Sequence, residues 1–127
     1  MAHLEIAPGE SLYYEYEAPG ATGQTFVFVN ALTGNTGMWQ ADSIGPKLRA
    51  AGYGALCYNF RGQIESKTAP ETKPTPTQIV EDLGRIMEHV KPPRPILVGL
   101  SIGGLFAAQA YHAGASADGI VLINTLR

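Results

Sequence analysis

Charge, histidine and cysteine are all scarce in this chain of 127 residues, and each shortage removes a class of function. Charged residues make up 16% of the sequence, the nine basic ones are scattered and the formal net charge is -2. Neither a nucleic-acid-binding face nor a polybasic membrane patch is therefore expected. The single cysteine, Cys57, excludes an internal disulfide; set in an apolar run, it is expected to be a small core residue and not a nucleophile. With no cysteine pair and three histidines far apart in sequence, no metal site is expected, and nothing implies an organic cofactor. No stretch approaches the roughly 20 apolar residues of a membrane span. The opening Met1-Ala2-His3-Leu4-Glu5 lacks the basic and apolar regions of a signal peptide. These features predict a soluble, cytoplasmic protein that contacts neither nucleic acid nor membrane.

What is abundant is apolar surface. Hydrophobic residues make up 45% of the chain, enough for one globular core in a length too short for two ordinary domains. Residues 2–6 and 11–17 read as an antiparallel edge hairpin around Pro8-Gly9. Thr25-Phe26-Val27-Phe28-Val29 is the continuous run of a strand buried on both faces. The long loop after it, Asn30 to Trp39, lies where α/β proteins keep function. A helix is expected from about Ser43 to Ala51, stopped by Gly52, then a strand over Tyr53–Tyr58. Ile64 to Thr75 reads as an excursion loop ending in a helix start, with Thr75 as cap, Pro76 in the first position and Gln78 completing a capping box. In that helix Ile79, Leu83, Ile86, Met87 and Val90 share one face, and Glu81, Asp82, Arg85 and Glu88 are assigned to the other. Pro92-Pro93 ends it. Two apolar strands, Ile96–Leu100 and Gly119–Ile123, flank an Ala-rich helix. The order β-β-β-α-β-α-β-α-β implies an α/β fold, a mostly parallel sheet with helices on both faces and an antiparallel hairpin at its N-terminal edge.

The chemistry is concentrated in Gly99-Leu100-Ser101-Ile102-Gly103. Between a strand and a helix, Gly-x-Ser-x-Gly is the nucleophile elbow, a strained turn that holds the serine hydroxyl out above the sheet. Gly99 and Gly103 are expected where a Cβ would collide with the tight turn. The helix behind Ser101 aims free N–H groups and its positive dipole end at any oxyanion formed there. Serine at 101 breaks the dinucleotide-binding fingerprint, and no Gly-Lys-Ser/Thr follows to make a P-loop.

In element order and motifs the chain resembles the N-terminal half of an α/β-hydrolase over essentially its whole length. Asn30-Ala31-Leu32 with Met38-Trp39 beyond it, then Tyr58-Asn59-Phe60-Arg61-Gly62, then Val98 to Gly104, then Leu122-Ile123-Asn124-Thr125 are ordered as in 3-oxoadipate enol-lactonases and related esterases. The resemblance implies a serine-dependent carboxylic ester hydrolase. Ser101 would be the nucleophile, and the backbone N–H groups of Leu32 and Ile102 the oxyanion hole. Asn30, Ala31, Met38 and Trp39 become candidate substrate-contacting residues, with a packing role equally open for Met38 and Trp39. Arg61, in the family's Arg-Gly turn, is expected to be structural. The family commonly carries Asp, His and Gly where this chain has Asn59, Gln63 and Ile64, so a different loop is expected after the fourth strand. Two alternatives stay open: an acyltransferase of the same fold, suggested by the Ala31-Leu32-Thr33-Gly34 loop, and a non-catalytic binding module.

A serine nucleophile needs a histidine within reach, oriented by a carboxylate. In this fold they follow the serine in the order acid, then histidine. His112 lies eleven residues along the elbow helix, roughly 16 Å from Ser101. His89 closes the preceding helix, His3 sits in the edge strand, and Asp118 belongs to the far end of the last strand, about 20 Å away. None can serve. Residues 1–127 are accordingly expected to be the N-terminal part of one catalytic domain, with the last strand left as an exposed apolar edge. The expected partners are a complementary C-terminal hydrolase chain or fragment, which would supply cap, acid and histidine, and a small-molecule ester or lactone.

Overall fold

Side chains alternate across Thr25-Phe26-Val27-Phe28-Val29, and both faces of the run are covered, which makes it the centre of the sheet. The computed structural model describes residues 2–32, 34–40, 43–61, 63 and 74–125. In chain order the elements are β1 (Ala2–Ala7), β2 (Glu10–Glu17), β3 (Thr25–Val29), α1 (Ile44–Ala50), β4 (Gly54–Tyr58), α2 (Pro76–Val90), β5 (Pro95–Leu100), α3 (Ile102–His112) and β6 (Gly119–Ile123). The strands form a single sheet in the order β1-β2-β4-β3-β5-β6. The β1–β2 hairpin is antiparallel and β2 joins β4 antiparallel, whereas β4, β3, β5 and β6 run parallel. The expected α/β architecture is therefore the observed one, edge hairpin included.

Strand periodicity divides the core into two layers. Val27, Val29, Leu56, Tyr58 and Leu97 face α2 and α3, meeting Ile79, Leu83, Ile86, Phe106 and Ala107. Phe28, Ala55, Cys57 and Val98 face the other way, under Trp39 and Leu48 of α1. Phe28 and Trp39 stack with centroids 4.6 Å apart. Each fully buried aliphatic or aromatic side chain stabilises the fold by about 1.5–3 kcal/mol relative to exposure, so helices on both faces are required to keep the parallel strands dry.

Helix α2 begins as its sequence dictates. The Thr75 hydroxyl accepts from the Gln78 N–H at 3.1 Å, and the Gln78 side-chain oxygen accepts from the Thr75 N–H at 3.0 Å. One assignment along this helix is corrected. Asp82 is buried, not on the solvent face, and sits in the same stripe as Ile79, Leu83 and Ile86. It is tolerated there because Arg61 reaches it twice, Nε to Oδ2 at 2.6 Å and Nη2 to Oδ1 at 3.0 Å, while Arg85 Nη1 approaches Oδ1 at 2.8 Å. The pair ties the turn after β4 to α2, which gives Arg61 the structural place expected of it.

The loop after β3 holds one regular piece that composition did not suggest, a 3₁₀ turn at Thr36–Met38 capped by the Asn35 side chain on the Gly37 N–H. The expected excursion loop from Ile64 lies outside the described residues as far as Lys73. At the far edge of the sheet β6 pairs, among the described residues, only with β5, and Val121, Leu122 and Ile123 are 38–48% exposed.

Candidate active site

Strand β5 ends at Leu100 and α3 starts at Ile102, so a single residue makes the reversal. That residue is Ser101, with φ 57° and ψ -122°, a conformation glycine prefers and other residues hold only when their surroundings enforce it. The enforcement is visible. Ser101 N–H donates to the Ile123 carbonyl at 2.8 Å, which fastens the turn to the end of β6. A Cβ on Gly99 would fall on the backbone of Gly104, and one on Gly103 would fall on the carbonyls of Val29 and Asn30. Ser101 is half-buried and its side chain makes no capping hydrogen bond to α3. A helix N-cap serine ordinarily spends its hydroxyl on the N2 or N3 amide; this one makes no such bond.

The second half of the site is the loop Asn30-Ala31-Leu32, brought against the start of α3 by the close approach at Gly103. Asn30 is fully buried. Its Nδ2 donates to the Tyr58 carbonyl at 2.8 Å and to Gln63 Oε1 at 3.1 Å, and its Oδ1 accepts from Trp39 Nε1 at 2.7 Å. Asn59 Oδ1 accepts from the Thr36 N–H at 2.8 Å. Gln63 donates from Nε2 to the carbonyls of Leu32 at 2.9 Å and Ala31 at 3.2 Å. The loop is thus held by side-chain amides where no regular secondary structure supplies the partners.

Sequence comparison bears on this geometry directly. Residues 24–127 match the profile of the family described as alpha/beta hydrolase fold. The chain belongs to that family. A protein named for carbamate hydrolysis, RutD of Variovorax paradoxus strain S110, is 31% identical over 117 residues, 89% of this chain and 42% of its own length. Among solved structures, the esterase EaEST from Exiguobacterium antarcticum superposes with a TM-score of 0.82 at 22% identity, over 97% of this chain and 44% of the esterase. Est816, described as an N-acyl homoserine lactone degrading enzyme, superposes with a TM-score of 0.78 at 24% identity, over 98% of this chain and 45% of its own. The chain therefore spans less than half the length of the relatives it matches.

Within this α/β-hydrolase chain the residues singled out in the sequence fall into two groups. Ser101, Ile102, Leu32 and Ala31 belong to the elbow and to the loop that packs on it. Neither the Ile102 nor the Leu32 N–H donates to a described residue. Asn30 and Trp39 are buried and bonded to each other behind the loop, and Met38 is half-buried beside Trp39. The histidines lie elsewhere. His112 is the exposed last residue of α3, His89 packs on Tyr14 from α2, and His3 packs on Tyr13 in the edge hairpin. Asp118 faces Arg94 at 3.3 Å, and its N–H meets the Pro95 carbonyl at the start of β5, the end away from Ser101. An open cavity of about 380 Å³, lined by Met87, Lys91, Pro92 and Pro95 among others, is also at that far end. Gln63 and Asn59 are the residues that sequence reasoning treated only as departures from the family pattern. The available signal was their chemistry, two amides directly after a strand in a fold that keeps its site at strand ends.

Proposed function

We propose that this chain carries the nucleophile and oxyanion donors of a serine hydrolase that cleaves a small carboxylic ester or lactone. The observation that carries the reading is the backbone of Ser101, held at φ 57° and ψ -122° at the mouth of α3 with no cap bond from its hydroxyl to the helix. Ser101 Oγ attacks the substrate carbonyl carbon and its proton passes to a histidine. The carbonyl oxygen becomes an oxyanion facing the N–H groups of Ile102 and Leu32, each such donor contributing about 3 kcal/mol to the transition state. The C–O bond to the leaving alkoxide breaks as the histidine returns the proton to it, leaving an acyl-serine that water hydrolyses by the same steps in reverse roles. No cofactor enters this sequence.

The histidine and its carboxylate come from outside residues 1–127, from a complementary C-terminal segment or chain that also supplies the cap over the site. The described histidines are separated from Ser101 by the length of α3 or of the sheet, and proton transfer needs hydrogen-bond reach. In this reading Ala31 and Met38 touch the acyl group, and Asn30 and Trp39, buried and bonded to each other, support the loop. Names among the relatives support the reaction class: a carbamate, an ester and an acyl lactone all present a carbonyl bonded to a heteroatom leaving group.

The test uses the protein together with its completing half. A fluorophosphonate should label Ser101 stoichiometrically, and Ser101→Ala should abolish both labelling and p-nitrophenyl ester turnover. Retained turnover in Ser101→Ala would overturn the reading. Native mass measurement decides the second part: co-elution with a species bearing the acid and histidine is expected, and a labelled, active 127-residue chain alone would refute it.

A further inference from the structure

The side-chain amide of Gln63 has partners on both sides, and they sort by type. Oε1 accepts from the Phe60 N–H at 2.7 Å and from Asn30 Nδ2 at 3.1 Å; Nε2 donates to the carbonyls of Leu32 and Ala31. Turning the amide over would set its NH₂ against two donors and its oxygen against two carbonyls, so the surroundings admit one orientation. The main chain of Gln63 is fixed as well, its N–H donating to the Phe60 carbonyl at 2.9 Å.

The Ala31 carbonyl and the Leu32 N–H belong to one peptide unit. That unit is trans and planar, so the two groups point in opposite directions. A donor held on the Ala31 oxygen therefore aims the Leu32 N–H away from Gln63. The Gly34 N–H holds the same oxygen at 2.9 Å, and the Leu32 carbonyl is bound by Gln63 in turn. Packing contributes little here, because the Leu32 side chain is 58% exposed. Hydrogen bonds set the orientation of this peptide, the Gly34 N–H and Gln63 Nε2 sharing the Ala31 oxygen and Gln63 alone reaching on to the Leu32 carbonyl.

Resting on the reading of Leu32 as an oxyanion donor, we propose that Gln63 is a positioning residue that presets the Leu32 N–H for the tetrahedral oxyanion. It acts through the Ala31–Leu32 peptide. A donor already oriented costs no reorganisation when charge develops, and the oxyanion exists only on the way through the transition state. Loss of Gln63 should therefore appear in kcat and not in KM.

The experiment compares wild type with Gln63→Leu, which removes all four bonds, and Gln63→His, which keeps one donor and one acceptor, in the enzyme joined to its completing half. With p-nitrophenyl acetate, Gln63→Leu should lower kcat about 10- to 100-fold and leave KM within about threefold. Gln63→His should recover part of the loss. The ¹⁵N–¹H resonance of Leu32 should move in Gln63→Leu and return toward wild type in Gln63→His. Wild-type kcat in Gln63→Leu, an unmoved Leu32 resonance, or a loss that merely tracks the fraction of unfolded protein would each overturn the proposal. Should Ser101→Ala prove fully active, the serine reading fails separately, and the Leu32 resonance still decides whether Gln63 sets that peptide.

Discussion

The α-carbon of Gly103 lies so close to the carbonyl oxygen of Asn30 that a methyl group on it would overlap that atom. The loop bearing Leu32 and the helix bearing Ile102 are thus in backbone contact, and their spacing depends on a missing side chain. At an ordinary helical position Gly→Ala stabilises by about 0.5–1 kcal/mol. Gly103→Ala is expected to reverse that sign and cost about 1–3 kcal/mol through overpacking against backbone that has nowhere to go. It should also slow fluorophosphonate labelling of Ser101 by more than the stability loss explains. Urea midpoints and labelling rates measure the two effects; an unchanged or raised midpoint would mean that the contact relaxes freely.

Arg61 and Asp82 test a different joint, the one between the turn after β4 and α2. Both are buried, and hydrogen bonding to Asp82 pushes the Arg61 pKa above its already high ordinary value. Removing only the acid leaves a buried guanidinium without its main partner. Asp82→Ala should destabilise by about 3–5 kcal/mol, whereas the paired change Arg61→Met with Asp82→Leu should recover most of the loss. A denaturant series on the three proteins distinguishes this from a simple packing defect, for which the double change would be worse than the single one.

Cys57 gives the fold a signature at alkaline pH. Burial, assisted by Glu15 and opposed by Arg49, pushes its thiol from 9.0 up to about 12. The unfolded thiol ionises first, so between those limits the unfolded chain binds fewer protons than the folded one. The stability that Cys57 contributes is fully present below about pH 9 and is lost as pH rises toward 12. The Tyr58 phenol, also pushed up by burial and by Asp82, adds the same trend from its ordinary value of 10.0 upward. Cys57→Ala should flatten the dependence between pH 9 and 10 while Tyr58 keeps it steep above that. Urea titrations at half-unit pH steps measure the slope; identical slopes in both proteins would show that the Cys57 thiol ionises over the same pH range in the folded and the unfolded chain.

Which features the sequence revealed follows from how far apart their causes lie. The elbow was legible because its steric reasons are local: Gly99 meets Gly104 within the same turn. The capping box of Thr75 and Gln78 was legible for the same reason. The amide bracing of the loop after β3 was not, because Asn30 finds its partners 28 and 33 positions away, across a strand and a helix. Asp82 shows an intermediate case. Its spacing from Ile79 and Ile86 places it in the apolar stripe, but its charge argued for solvent until Arg61 supplied a partner 21 positions earlier. Local sterics and periodicity carry the fold, then, while the polar side chains that brace the site are set by contacts only the folded chain brings together.

The strain at Ser101 can be separated from its chemistry by two substitutions that both delete the hydroxyl. A non-glycine residue in this backbone region costs on the order of 1–3 kcal/mol. Alanine keeps a Cβ and therefore keeps the cost; glycine removes it, at an entropic penalty of about 0.5–1 kcal/mol in the unfolded chain. Ser101→Gly is expected to be more stable than Ser101→Ala by roughly 1 kcal/mol, while both lose fluorophosphonate labelling. Thermal and urea unfolding of the two variants side by side gives the difference without reference to any substrate. A result in the opposite order would mean that the turn between β5 and α3 holds φ 57° at no cost, and the case for Ser101 as a deliberately strained nucleophile would lose its main physical support.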